Sequence, residues 1–220
     1  MHELQQLPLQ KLYISIPEYM HIPAKTKDKL KNLAQTNLQF IDEHELIKKL
    51  HTSSKEISYN VVLSISKRGR QIYRSLQKYE LSQRIEHINL SVTRNTIQSH
   101  HFPFFRGKDL LIIDDIFCSG LTLGKLADVY GKTNRIYFLF LFGPKNTIQE
   151  FTQKYSATNL YYGCALQEDP RKLPIKFTDL PTICNEIQKP EKPLFLKRAF
   201  GENIKEVAYV LQTELVTQNF

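Results

Sequence analysis

Two adjacent acids, Asp114 and Asp115, end an apolar run, Leu110 to Ile113, and are followed by Cys118, Ser119, Gly120, Leu121 and Thr122. Carboxylates held at the end of a buried strand can accept hydrogen bonds from sugar hydroxyls or bind a hard divalent cation. A bend of small residues at a helix N-terminus offers free backbone N–H groups and hydroxyls to a phosphate. Acids for hydroxyls beside amides for phosphate make a site for a phosphorylated sugar. Such a site needs a strand that delivers the acids to the carboxyl edge of a parallel sheet, where open α/β folds place their ligands.

A second group follows an earlier apolar run, Asn60 to Ser66. There Ser66-Lys67-Arg68-Gly69-Arg70 reads as a basic turn with one glycine. Backbone amides approach an oxyanion only where side chains do not crowd them, and a guanidinium can take two phosphate oxygens. A third group, Arg94, His100, His101 and Arg106, lies in the polar connection Arg94 to Gly107. The histidines are adjacent, which is the wrong spacing for two metal ligands on one helix face. The run Phe102 to Phe105 could pack this connection onto a core. Cys118 has a helix N-terminus to lower its thiol pKa but no partner base in the sequence, so it reads as a small loop residue.

The elements that position these groups alternate. Strands are expected at Asn60–Ser66, His87–Thr93, Asp109–Asp115, Arg135–Phe142 and Leu160–Leu166, with helices at about 69–78, 121–130 and 147–155. That order predicts an α/β fold with a doubly wound, mainly parallel sheet and right-handed crossovers. The N-terminal 50 residues carry helical spacing at Thr26–Gln35 and Asp42–Leu50. The tail from Glu168 is rich in proline and lysine before a helix near 201–213.

A chain of 220 residues with 41% hydrophobic and 24% charged residues suits a soluble domain of this kind with appended elements. No apolar run reaches the roughly 18 residues that would span a bilayer, and the first residues lack a signal-peptide layout, so no membrane role is expected. Three widely spaced cysteines suggest neither a disulfide framework nor a zinc cluster and point to a reducing cytoplasm. The net charge of +8 is concentrated: residues 51–107 hold nine Lys/Arg against three Asp/Glu. Such a field suits a substrate with several phosphates, and equally a nucleic-acid backbone.

Residues 110–122 resemble the phosphoribosyl pyrophosphate-binding motif of type I phosphoribosyltransferases. That pattern is an apolar strand, two acids, two variable residues, two small residues, Gly, any residue, then Thr or Ser. Cys118 stands where the family often has Thr and where the hypoxanthine-guanine enzymes have Asp, which argues against that subclass. The resemblance covers about residues 58–166. It implies a phosphoribosyltransferase-like core at 56–167, with 1–55 and 168–220 forming a hood that selects the acceptor. It further implies Asp114 and Asp115 as catalytic residues on the ribose hydroxyls, touching Mg²⁺ indirectly through substrate or water. Residues Cys118 to Thr122 would bind the 5′-phosphate, Lys67, Arg68 and Gly69 the pyrophosphate, and Arg94, His100, His101 and Arg106 would belong to a mobile flap. The implied activity is pentosyl transfer between phosphoribosyl pyrophosphate and a base or nucleotide, with Mg²⁺. The alternative is a regulator or effector of the same fold that keeps the phosphosugar pocket but binds or acts on RNA or DNA. A homodimer or membership of a larger complex is compatible with either.

Overall fold

In chain order the elements are β1 (Lys11–Ile16), α1 (Ala24–Leu33), β2 (Asn37–Asp42), α2 (Glu43–Ser54), β3 (Val61–Ile65), α3 (Ser66–Gln77), β4 (Glu86–Leu90) and β5 (Asp109–Ile116). They continue with α4 (Leu121–Tyr130), β6 (Arg135–Pro144), α5 (Lys145–Lys154), β7 (Asn159–Leu166), β8 (Ile175–Asp179), α6 (Leu180–Glu186), α7 (Leu194–Phe200) and α8 (Ile204–Leu215). This computed structural model describes residues 8–79, 85–90, 103–168 and 173–215. The chain divides into two units, Glu45–Asp169 and Met1–His44 joined with Pro170–Phe220.

The Glu45–Asp169 unit is built on five strands in the order β4-β3-β5-β6-β7, every neighbouring pair parallel. Counted within this sheet the order is 2-1-3-4-5, a doubly wound arrangement whose direction of winding reverses between β3 and β5. The apolar runs explain the strands: β3 and most of β5 and β6 are buried, because helices cover both faces. On one face α4 and α5 supply Leu123, Leu126, Tyr130, Ile148 and Phe151 to a core with Leu63, Ile112 and Phe138. On the other, α3 buries Gly69, Ile72, Tyr73 and Leu76. Each such aliphatic or aromatic side chain contributes roughly 1.5–3 kcal/mol relative to exposure.

The second unit has its own parallel sheet, in the order β2-β1-β8, and its own core of Leu12, Ile14, Leu30, Leu180, Phe200 and Val207 among others. Asp179 ends β8 and caps α6 by accepting a hydrogen bond from the Thr182 N–H at 2.7 Å. None of its three strands was expected from the sequence, which marked only helices at both ends. The strands run five or six residues. β1 carries a tyrosine and a serine in buried positions that interrupt its apolar signal. Among the described residues no helix is long and apolar enough to cross a membrane.

Candidate functional site

Strand β5 carries Asp114 and Asp115 to the carboxyl edge of the five-stranded sheet, beside the point where winding reverses. Local backbone hydrogen bonds set both side chains. The Asp115 N–H donates to Asp114 Oδ1 and the Ile116 N–H to Asp115 Oδ1, each at 2.9 Å. Burial, and then the neighbouring Asp115 charge, push the Asp114 carboxyl well above the usual carboxylate range. From across the crevice, at the start of α3, Arg68 Nε stands 3.8 Å from Asp115 Oδ2, while Arg68 Nη1 donates to Gln71 Oε1 at 3.0 Å. The two elements that flank the crevice therefore meet through one guanidinium and one carboxylate.

Behind the acids the chain turns through 117–120 into α4. The bend is anchored by Phe117, whose N–H donates to Phe142 O at 3.0 Å. Its ring stacks on Phe140 at 4.9 Å and meets Phe151 edge-on at 5.1 Å. Gly120 is the N-cap residue with φ +70°, a left-handed conformation open to glycine at little cost. A Cβ there would lie 3.1 Å from the Phe117 ring. No side chain caps the helix. Ser119 Oγ accepts only a long bond, 3.4 Å, from the Leu121 N–H, and the Gly124 N–H reaches Gly120 O at 2.7 Å. Among the described residues the amides of Ser119, Gly120 and Thr122 donate to no acceptor. Together with the helix dipole, these free amides suit an anion.

The bend opens into a cavity of about 240 Å³ whose lining includes Ser119, Gly120, Lys125, Asp128, Thr147, Glu150, Lys154 and Tyr155. Thr147 belongs to this site and was not read from the sequence. It is 2% exposed and its hydroxyl has no hydrogen-bond partner among the described residues. Thr147 is the third residue of α5, and the N-cap residue is Pro144, which has no N–H to donate back to it. The only sequence signal was a hydroxyl residue three places after Gly-Pro. Thr147→Val should raise stability by about 1 kcal/mol, because it removes an unsatisfied buried group at nearly constant shape. A urea midpoint that falls instead would show that the hydroxyl is bonded.

Other expected site residues are placed differently. Ser66 to Arg70 is the first turn of α3 rather than a loop, because the helix starts directly from β3 through Ser66 at φ +59°. Gly69 does not face the crevice: its position is buried, and a Cβ there would lie 2.4 Å from Ile113 O. It serves the close packing of α3 on β5. Lys67 is exposed at the start of the helix.

Arg94, His100 and His101 lie outside the described residues. Arg106, given to the flap, lies three residues before β5, at the opposite end of that strand from Asp114. Five strand steps from Asp109 to Asp114 already span about 16 Å. That end is pinned, with the Tyr130 hydroxyl donating to Pro103 O at 3.1 Å and Asn134 Nδ2 to Phe105 O at 3.0 Å. Of the phenylalanines described there, Phe105 packs on Tyr130 and Phe104 is exposed.

The donor set fits a substrate-borne Mg²⁺. Asp114 and Asp115 are hard oxygen donors at an open rim, and among the described residues no cluster of three or more metal-binding side chains would form a complete protein site.

No family model matches this chain, and no curated protein matches it. Solved structures similar to it include a protein from Aquifex aeolicus, at 13% identity, covering 67% of this chain and 86% of that one with a TM-score of 0.43. Another is the purine phosphoribosyltransferase of Pyrococcus horikoshii, at 15% identity, 77% and 93% coverage and a TM-score of 0.42. A third is the orotate phosphoribosyltransferase of Mycobacterium tuberculosis in complex with 5-phospho-α-D-ribosyl 1-diphosphate, at 11% identity, 55% and 71% coverage and a TM-score of 0.40.

Proposed function

We propose that the crevice between β3 and β5 binds phosphoribosyl pyrophosphate and that the protein transfers the phosphoribosyl group to or from a nitrogenous base. One observation carries this reading: two carboxylates and a bend of amides that find no acceptor among the described residues follow one another at the carboxyl end of one strand, beside the sheet's switch point. The amides of Ser119, Gly120 and Thr122 hold the 5′-phosphate, while Asp114 and Asp115 take the ribose hydroxyls. Anchored at both ends, the sugar keeps its place while the anomeric carbon moves.

In the forward direction the bond from the anomeric carbon to pyrophosphate oxygen breaks and its electron pair leaves with pyrophosphate. A ring nitrogen of the base then bonds to the carbon and loses its proton to solvent or a nearby base. Negative charge on the acids stabilises the positive sugar ring that develops between these events. Lys67 and Arg68 favour the departing pyrophosphate, Arg68 exchanging its contact with Asp115 for the leaving group. Mg²⁺ held through Asp114 and Asp115 would supply charge neutralisation on the pyrophosphate. The few, widely spaced cysteines suit a protein that works in the cytoplasm.

The test is incubation with phosphoribosyl pyrophosphate, Mg²⁺ and a panel of purine and pyrimidine bases while pyrophosphate is followed. Release that depends on one base is the expected result. No release with any base, together with no protection of the fold by phosphoribosyl pyrophosphate in thermal melts, would overturn the reading.

A further inference from the structure

The outer face of α3 has no part in the crevice chemistry apart from its first turn. Its sequence, Ser-Lys-Arg-Gly-Arg-Gln-Ile-Tyr-Arg-Ser-Leu-Gln, holds four cations and no acid, and Lys78 follows directly. The buried positions are Gly69, Ile72, Tyr73 and Leu76. At 100° per residue, Lys67, Arg70, Arg74 and Lys78 fall within an arc of about 80° on the opposite side. Lys67, Arg74 and Lys78 are exposed and Arg70 is half-buried.

Among the described residues, Lys67, Arg70 and Arg74 form no ion pair with a carboxylate. No ion pair among the described residues therefore offsets these three charges. Burial, then Arg70 and Arg74, hold the His87 imidazole on β4 below its usual range, so His87 adds no charge at neutral pH. Solvated helix faces usually mix both signs, because like charges at i,i+4 destabilise a helix. A row of four cations with no acid opposes that pattern.

The row spans eleven helical steps, about 17 Å. Even at the roughly 3.4 Å rise of a fully stacked strand, that length follows at most roughly five nucleotides. One row of cations matches one phosphate backbone, and its first member, Lys67, adjoins Arg68 at the rim crevice. We propose that the outer face of α3 is a binding track for single-stranded nucleic acid, held through its phosphates and leading to the crevice. The surface does not depend on the phosphosugar chemistry, since pyrophosphate release reports on the crevice and strand binding on α3.

The test is fluorescence anisotropy of a labelled oligothymidylate with the full chain, as KCl rises from about 50 to about 200 mM. Four phosphate contacts predict a slope of log affinity against log salt near −3, at about 0.7 per contact on a single strand. The triple variant Arg70→Gln, Arg74→Gln, Lys78→Gln should lose about two from that slope while keeping its thermal midpoint and base-dependent pyrophosphate release. Glutamine retains helix propensity at these positions. A pair, Arg70→Gln with Arg74→Gln, should lose about 1.4 and serves if the triple fails to fold. A control triple in the smaller unit, Lys197→Gln, Arg198→Gln, Lys205→Gln, removes the same charge outside α3 and should leave the slope unchanged. The proposal is overturned if the wild type does not bind, if the α3 variants keep the wild-type slope, if the control triple loses as much, or if a duplex of equal length binds more tightly.

Discussion

Replacing Asp114 and Asp115 together by asparagine should abolish the proposed pyrophosphate release, by about a thousandfold or more, while making the folded chain more resistant to urea at neutral pH. The two effects share one cause. Asp114 is held in a place that disfavours its charge, first by burial and then by Asp115. A carboxyl raised in the folded state binds a proton there that the unfolded chain has already released. Its contribution to stability is therefore complete below the ordinary aspartate range and is lost as pH rises through the raised value. At neutral pH the wild type bears that cost, and asparagine removes it while Oδ1 still accepts from the next N–H.

A single Asp114→Asn change should flatten the fall in stability between acid and neutral pH. Urea midpoints across pH, alongside pyrophosphate release, check both halves. A pair variant that is destabilised yet turns over normally would mean that the acids are structural. The reading that they are kept for ligand binding would then fail.

Gly69→Ala should lower stability by about 1–3 kcal/mol. In an ordinary helix interior the same change gains up to about 1 kcal/mol. Here the new methyl would lie 2.4 Å from Ile113 O and 3.3 Å from Ile113 C, both backbone atoms of a central strand that cannot turn aside. The helix must instead move outward, and Arg68, one residue earlier, moves with it from its 3.8 Å approach to Asp115. Urea denaturation measures the loss, and a midpoint equal to wild type or higher would contradict the close packing of α3 on β5.

The five strands of the larger sheet were legible in the chain because each is an apolar or alternating run bounded by turn residues, and such a run has few other ways to be buried. The acid pair and the bend after it were legible for the same reason, since the strand that carries them announces itself. The start of α3 was misread as a loop. Its glycine looks like punctuation, and no side-chain cap marks the helix, whose N-cap residue is Ile65. What makes Gly69 necessary is the backbone of Ile113, more than forty residues away, which no local pattern reports. Strands β1, β2 and β8 were missed because their identity is collective. Lys11 pairs with Asn37 on one side and with Ile175 on the other, and the second partner is about 160 residues distant. Thr147 was overlooked because an orphaned hydroxyl is a property of the finished packing.

The interrupted path of the smaller unit orders events on the ribosome. Its middle strand, β1, is synthesised before Glu45–Asp169, yet the neighbour that completes its sheet, β8, emerges only after the whole of that unit. The larger unit has every strand it needs before that moment and is free to acquire its structure as it leaves the exit tunnel. The β1–β2 pair meanwhile exposes one ladder of unpaired peptide groups, the kind of edge that recruits foreign strands. Prompt maturation of the larger unit shortens the separation that the growing chain must bridge, turning a long search for a partner into a short one.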